Sequence, residues 1–154
     1  MGDYFVDSSA LVKRYVNETG SVWLSGLVSP AVGNDIYIAR ITTVEVIAAL
    51  TRRARGGTIT AADASAVCLL FRNDLPHDYA IVDMTATLLN RAMTLAETHG
   101  LRGYDAVQLA AACEVNAFYA AHGLPPLTLV SADSELNTAA TGEGLPVDDP
   151  NAHP

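Results

Sequence analysis

Four acidic residues recur at similar places along the chain: Asp7, Glu45, Asp105 and Asp133. Each follows a short apolar run typical of a buried strand, or lies in the first turn of a predicted helix. Carboxylates that converge repel one another strongly unless a cation joins them. Magnesium prefers such hard oxygen ligands and keeps part of its water shell, so metal-assisted chemistry at a phosphate is the first hypothesis.

Each acid also has a purely structural explanation. Asp7 could cap the helix that follows it, and Asp133 could occupy a turn or a cap. Glu45 fits a capping box that begins at Thr42, and Asp105 could simply interact with the helix dipole. Taken singly, these explanations are at least as good as a functional one. The joint occurrence of four acids in equivalent positions is what favours a site.

Alternating strands and helices would position these acids. Apolar runs predict strands at 4–6, 36–41, 79–82 and 127–130, with an edge strand at 145–147. Caps and stop signals predict helices at 9–17, 22–28, 42–55, 60–75, 85–99, 104–121 and 134–140.

This alternation predicts one α/β domain over residues 1–147, with three layers (α/β/α) around a central, mainly parallel sheet. Ligands gather beyond the carboxyl ends of the strands in such sheets, which is where the acids lie. The segment 148–154 is rich in Pro and Asp and is expected to be a flexible, frayed tail.

Composition narrows the classes of protein. The chain has 154 residues, half of them hydrophobic, and a mean hydropathy of +0.22, which is typical of one ordered domain. No apolar run reaches the roughly 18 residues of a membrane span, and no signal peptide is visible. Cys68 and Cys113 are isolated, so we expect reduced thiols in a cytoplasmic protein and no zinc site.

A net charge of −8 argues against broad, sequence-blind nucleic-acid binding. It does not exclude a nuclease, because a bound cation would supply local positive charge. The sequence also lacks G-x-G-x-x-G, P-loop and G-x-S-x-G motifs, so dinucleotide, nucleotide and serine-hydrolase functions have no support. Ser9 stands two residues after Asp7, where an aspartyl-phosphate phosphatase would have a second Asp.

Four segments resemble the PIN domain, in particular the VapC-type toxins of toxin–antitoxin pairs. They are YFVDSSALVKRY at 4–15, ITTVEVIAAL at 41–50, LRGYDAVQLAAA at 101–112 and LVSADSEL at 129–136. Their order and spacing match the family from about residue 4 to residue 147. Leu136 stands where the family commonly has an aromatic residue, and a leucine can fill the same apolar position.

The resemblance implies a Mg²⁺- or Mn²⁺-dependent endoribonuclease that leaves 5′-phosphate ends. By position, Asp7 and Asp105 would be the principal metal ligands, and Asp133 a further one. Glu45 would complete the acidic pocket as a fourth catalytic residue. Ser9 and Ser131 fall where the family often has supporting hydroxyl groups.

The resemblance further implies an RNA substrate, an antitoxin protein as partner and a homodimer, with no membrane association. RNA phosphates could be bound by the basic residues Lys13, Arg14, Arg52, Arg53 and Arg55, although these could equally be solvated helix faces. Two alternatives stay open at this point: a PIN nuclease of RNA maturation, and an inactive PIN-like module that binds other proteins.

Overall fold

The computed structural model describes residues 1–154 and contains one five-stranded sheet. Its strands are β1 (Asp3–Val6), β2 (Asp35–Ala39), β3 (Ala80–Val82), β4 (Thr128–Val130) and β5 (Val147–Asp148). They lie in the order β3-β2-β1-β4-β5, and every pairing is parallel. The predicted parallel α/β architecture is confirmed.

Seven α-helices surround the sheet: α1 (Ser8–Leu11), α2 (Ser21–Val28), α3 (Thr42–Arg55), α4 (Ala61–Asp78), α5 (Ala86–His99), α6 (Gly103–Ala121) and α7 (Ser134–Gly142). Short 3-10 helices cover Val12–Arg14, Pro30–Val32 and Pro150–Ala152. None of the α-helices combines the length and apolarity needed to cross a membrane.

Two helix ends differ from the prediction. The first helix is short because its continuation is a 3-10 turn rather than an α-helix to residue 17. The fourth helix continues through Pro76 to Asp78, although a proline in a helix removes one backbone hydrogen bond. Contacts with Arg14 hold this last turn, since its guanidinium binds Asp78 at 2.8 Å.

Side chains that alternate along each strand enter two separate cores. Phe5 and Leu129 point to the face covered by α5, α6 and α7, where they join one apolar cluster. The next residues, Val6 and Val130, point to the face covered by α1 to α4 and join the other. Because successive side chains of a strand lie on opposite faces, a sheet with helices on both sides needs apolar residues at every position.

The chain changes direction across the sheet between β1 and β4. From β1 it proceeds outward to β2 and β3, then returns to place β4 on the other side of β1. Val6 and Val130 are paired in register at the ends of these two strands. The crevice beyond such a switch point is the usual ligand site of an open parallel sheet.

The end of the chain is ordered against the domain, in contrast to the frayed tail expected for 148–154. Asp148 belongs to β5, and Pro150–Ala152 forms a 3-10 helix. His153 then stacks on Trp23 of α2, with ring centroids 4.1 Å apart and planes inclined by 4°. Composition suggested a loose tail because it contains no information on this distant aromatic partner.

Gly20 permits this close packing. It precedes α2 with a φ of 84°, and a Cβ there would lie 2.3 Å from the carbonyl oxygen of Pro150. His153 is also fixed by a 2.7 Å contact between its Nε2 and a carboxylate oxygen of Asp148. The carboxyl-terminal segment is therefore part of the folded domain.

Deleting residues 150–154 should lower the free energy of unfolding by about 1–2 kcal/mol, because it uncovers Trp23 and removes buried Pro150. Since Trp23 is the only tryptophan, its emission should shift to longer wavelength in the folded truncated protein. Urea unfolding followed by tryptophan fluorescence measures both effects. Deleting only the exposed Pro154 is the control, and equal stability of all three proteins would contradict the packing described.

Candidate active site

Asp7 ends β1 and is almost completely buried, with 3% of its surface exposed. It is also the N-cap of α1: its Oδ1 accepts hydrogen bonds from the Ala10 N–H at 3.0 Å and from the Ser9 hydroxyl at 2.7 Å. Its Oδ2 accepts one from the Ser131 hydroxyl at 3.1 Å. The capping and the functional explanations are therefore compatible, because the capping oxygen leaves Oδ2 with spare acceptor capacity.

Burial raises the pKa of Asp7 from 3.8 to about 7, despite hydrogen bonds from Ser9, Ala10 and Ser131 that lower it. The negative charge of Asp133 raises this pKa further. The donors around Asp7 thus compensate its charge only in part. A cation placed beside the carboxylate would favour the ionised form.

Asp133 follows β4 and approaches Asp7 through the segment that contains Ser131. Its Oδ1 caps α7 by accepting hydrogen bonds from two backbone N–H groups, those of Glu135 and Leu136, at 2.9 and 3.1 Å. The hydroxyl of Ser131 accepts from the Asp133 N–H at 3.1 Å while it donates to Asp7. Ser131 therefore fixes the relative positions of the two acids.

The hydroxyl of Ser9 joins the same two chain segments. It donates to Asp7 and accepts a hydrogen bond from the Ala132 N–H at 3.0 Å. Both serines expected to support the site thus contact Asp7 directly. Leu136, at the position where the family commonly has an aromatic residue, is completely buried in the core. An effect of Ser9 and Ser131 on activity stays a prediction.

Glu45 does not form the capping box expected from the sequence. The N-cap of α3 is Ile41, and no side chain caps this helix. Glu45 Oε1 instead accepts hydrogen bonds from the Ser8 hydroxyl at 2.7 Å and from the Gln108 amide at 2.8 Å. Thr42, the other member of the expected box, also binds Gln108. Glu45 is therefore bound by side chains of other helices and not by the backbone at the start of its own helix.

Asp105, in the first turn of α6, is the least restrained of the four acids. It is partly buried, and its carboxylate accepts no hydrogen bond from the protein. Burial raises its pKa, and the charges of Asp133 and Glu45 raise it further, whereas Arg102 lowers it. These couplings place Asp105 in the electrostatic field of the other acids, at the same edge of the sheet.

The donor chemistry of this edge suits a divalent cation, because all four groups offer hard carboxylate oxygens. Burial is the main cause of the raised pKa values of Asp7 and Asp105, and neighbouring carboxylates raise both further, so a cation at this edge would favour the ionised forms. No three acidic, histidine or cysteine side chains surround a common point closely enough to hold a metal ion. Asp105 is the one acid of the four whose carboxylate accepts no hydrogen bond from the protein. The metal-ligand assignment of Asp7, Asp105 and Asp133 stays a prediction.

Two of the expected RNA-binding residues are engaged elsewhere. Lys13 is buried and lies 3.8 Å from Glu18. Arg14 binds Asp78 and the hydroxyl of Tyr79, the residue just before β3, and so lies toward the amino ends of the strands. Both residues neutralise acids inside the domain, so neither is a free cation, and the proposed contact of Lys13 and Arg14 with RNA stays a prediction.

The arginines of α3 fall into two groups. Arg53 is partly buried and bound to Glu18 at 2.9 Å, which makes it a structural ion pair rather than a free RNA contact. Arg52 and Arg55 are exposed and form no ion pair, so a role for them in RNA binding stays a prediction. Arg102 is also exposed and unpaired, and it is the cation whose charge acts on Asp105.

The residues that hold Glu45 were not predicted from the sequence; they are Ser8, Thr42 and Gln108. Gln108 had a recognisable signal, since it is polar in an otherwise apolar stretch of α6. It also lies three residues after Asp105, on a neighbouring part of the same helix surface. Ser8 and Thr42 had no comparable signal, because a Ser or Thr at a helix start is adequately explained by capping.

Comparisons with known proteins agree with the fold. The sequence profile of the PIN domain matches residues 4–141, so the chain belongs to the PIN domain family. Ribonuclease VapC45 of Mycobacterium tuberculosis (strain CDC 1551 / Oshkosh) is 35% identical over 147 residues, which cover 93% of this chain and 92% of that protein.

Solved structures share the same fold. PAE2754 from Pyrobaculum aerophilum superposes with a TM-score of 0.62 at 22% identity, over 98% of this chain and 85% of that one. A toxin–antitoxin complex from Klebsiella pneumoniae gives a TM-score of 0.61 at 16% identity, over 96% and 97% of the two chains. The three-layer PIN-like fold expected from the sequence is therefore confirmed.

Without divalent cations, the stability contribution of Asp7 should decline as pH rises from about 4 to about 7. The folded state keeps the Asp7 proton up to a pKa of about 7, whereas an unperturbed Asp releases it near 3.8. The folded state thus binds more protons than the unfolded state in this window, so stability falls with pH. Three pKa units correspond to at most about 4 kcal/mol.

Urea unfolding of the wild type and of Asp7→Asn across this pH range, with chelator present, measures the effect. The difference between the two proteins cancels the contributions of the other carboxylates. The wild type should lose stability relative to the variant as pH rises. A difference that stays constant with pH would contradict the raised pKa of Asp7.

Proposed function

We propose that this chain is a divalent-metal-dependent endoribonuclease and the toxin of a VapC-type toxin–antitoxin pair. The observation that supports this function best is the gathering of Asp7, Glu45, Asp105 and Asp133 at the carboxyl edge of a parallel sheet, beside its switch point. The relative named Ribonuclease VapC45 supports RNA as the substrate.

The cofactor we propose is Mg²⁺ or Mn²⁺, held by Asp7 and Asp105 with Asp133 as a further ligand. When bound, such a cation stabilises charge on a phosphate oxygen and lowers the pKa of a water molecule. Glu45 would orient the attacking water through its second carboxylate oxygen, since Oε1 is already bound to Ser8 and Gln108. Attack in line with the departing 3′ oxygen leaves a 5′-phosphate and a 3′-hydroxyl.

RNA would approach an edge that repels its phosphates, so the few unpaired cations matter. We propose that Arg102 binds a phosphate beside the reacting one, because it is exposed, has no ion-pair partner and lies in the field of Asp105. Arg52 and Arg55 are candidates for contacts farther along the RNA. Both lie about two to three helical turns after Glu45 on α3, so we assign them no part in the chemistry.

We further propose an antitoxin protein as partner and a homodimer as the working assembly. A carboxylate edge with incompletely balanced charge suits an inhibitory segment that carries arginine. The similarity of this fold to the Klebsiella pneumoniae toxin–antitoxin complex supports such a partner. Cys68 and Cys113 are both free thiols, which supports a cytoplasmic location.

Purified wild type should cleave RNA in the presence of Mg²⁺ or Mn²⁺ and leave 5′-phosphate ends, and chelator should abolish the reaction. Asp105→Asn should reduce cleavage by more than the roughly 10–100-fold typical of residues that only support metal ligands. Gel analysis of end-labelled RNA, with identification of the new ends, measures both.

The matched control is Asp63→Asn, which makes the same change at an exposed first-turn acid of α4. Asp63 is not among the charges that act on Asp105, so its replacement should leave cleavage unchanged. Equal cleavage by wild type and Asp105→Asn would refute the proposed site. Absence of cleavage by any preparation would favour a protein-binding module over a nuclease. The presence of a neighbouring antitoxin gene would distinguish a toxin from a nuclease of RNA maturation.

Arg102→Gln should raise KM for RNA more than it lowers kcat, because a lost phosphate contact weakens binding. It should also reduce the salt slope of log KM by about 0.7, the value for one phosphate contact on single-stranded RNA. Arg72→Gln on α4 is the control, since Arg72 is likewise exposed and unpaired but does not act on Asp105. Equal salt slopes for the two variants would refute the assignment of Arg102.

A further inference from the structure

Gln108 lies at the centre of a buried hydrogen-bond network at the edge of the acidic site. It is only 1% exposed, and its Nε2 lies 2.8 Å from Thr42 Oγ1, 2.8 Å from Glu45 Oε1 and 2.9 Å from Ser8 Oγ. These three partners start two different helices, α1 and α3. One side chain of α6 therefore connects three elements at the edge of the sheet where the four acids lie.

The orientation of the Gln108 amide is set by Glu45. Turning the amide over would bring its oxygen to within contact of the Glu45 carboxylate, where two acceptors repel each other. In the observed orientation the Gln108 Oε1 is buried and has no hydrogen-bond partner. An unpaired buried carbonyl is unfavourable, so the contacts of Nε2 must outweigh it.

A purely structural role would not require glutamine at this position. The next five residues of α6, from Leu109 to Cys113, are all apolar and buried, and an apolar side chain at position 108 would avoid the unpaired oxygen. Glutamine supplies what an apolar residue lacks, namely an N–H group directed at a carboxylate. The network thus indicates that Gln108 is needed to hold Glu45 in its position.

The network leaves Glu45 with one held oxygen and one free oxygen. Oε1 accepts from Ser8 and Gln108, whereas Oε2 accepts no hydrogen bond from the protein. The charge of Glu45 acts on Asp105, so the two carboxylates are close enough to interact through space. These hydrogen bonds to Oε1 limit rotation of the carboxylate, and they leave Oε2 available to a ligand at the acidic edge of the sheet.

We propose that Gln108 is a positioning residue that acts through Glu45, with Ser8 and Thr42 as its auxiliary contacts. This inference rests on the proposed nuclease function, in which Glu45 orients the attacking water. Gln108 itself touches neither RNA nor the reacting atoms. Its loss should therefore slow the chemical step and leave RNA binding nearly unchanged.

The test replaces Gln108 by Met, which has similar volume and no N–H donor. We expect kcat to fall by about 10–100-fold, as is typical for residues that orient a site residue. KM should change by less than about threefold, because a contact needed only in the reaction affects kcat rather than uniform binding.

The matched control is Tyr119→Phe in the same helix. Tyr119 is buried and its hydroxyl bonds to Asp3 and Tyr37 at 3.0 Å each, at the opposite end of α6 from Asp105. Phenylalanine removes these bonds and so tests whether general loosening of α6 reduces kcat. We expect Tyr119→Phe to lower stability and to leave kcat and KM at wild-type values.

The decisive comparison repeats Gln108→Met in a Glu45→Gln background. If Gln108 acts through Glu45, the second substitution should cause less than about a threefold further loss of kcat, because coupled residues are not additive. The same loss in both backgrounds would overturn the proposal, as would a wild-type kcat for Gln108→Met or a parallel loss in Tyr119→Phe.

Failure of the proposed function would be recognised separately. If wild type does not cleave RNA, the pairing of Gln108 with Glu45 is tested by urea unfolding of the two single variants and the double variant. Non-additive changes in the unfolding midpoint would show that the two side chains interact, and would support the positioning of Glu45 by Gln108 in a protein with another function. Additive changes would overturn it.

Discussion

The carboxylate of Asp7 sets the constraint on which the carboxyl edge of the sheet depends. A buried carboxylate is unfavourable by several kcal/mol unless donors surround it. Its donors come from two distant parts of the chain: Ser9 and the Ala10 N–H at the start of α1, and Ser131 after β4. They can meet only if β1 and β4 are neighbours in register, which the hydrogen bond from the Asp7 N–H to the Val130 carbonyl also requires.

Two hydrogen-bond networks divide the acids between them. One surrounds Asp7 and includes Ser9 and Ser131, and the other surrounds Glu45 and includes Ser8 and Gln108. The adjacent serines Ser8 and Ser9 belong to different networks, so the start of α1 fixes the two acids relative to each other. Asp105 belongs to neither, which leaves one carboxylate without a hydrogen bond from the protein among three that have one. Such an arrangement limits the reorganisation that binding a cation would require.

The sequence predicted the features that depend on local pattern. Alternating burial of residues such as Phe5 and Val6 follows from apolar runs, and the parallel sheet follows from their alternation with helices. Features that depend on distant partners were missed. In the sequence alone Arg14 resembles a free cation, but in the fold it binds Asp78. Glu45 likewise resembles a capping residue, but in the fold it binds Gln108. The local sequence cannot reveal such partners, because a distant side chain can replace a local one without any change in the local sequence.

The distribution of cations explains how an acidic protein could act selectively on RNA. Arg14, Arg53 and Lys13 neutralise acids within the domain, and of the unpaired arginines it is Arg102 that acts on an acid of the site. Binding of a polyanion therefore cannot depend on a broad basic surface, whose affinity would be high for any sequence. In the nuclease we propose, binding would depend on a bound cation, on Arg102 and on the fit of the RNA to the edge of the sheet. Such a site would discriminate by the shape of an exposed RNA loop rather than by charge.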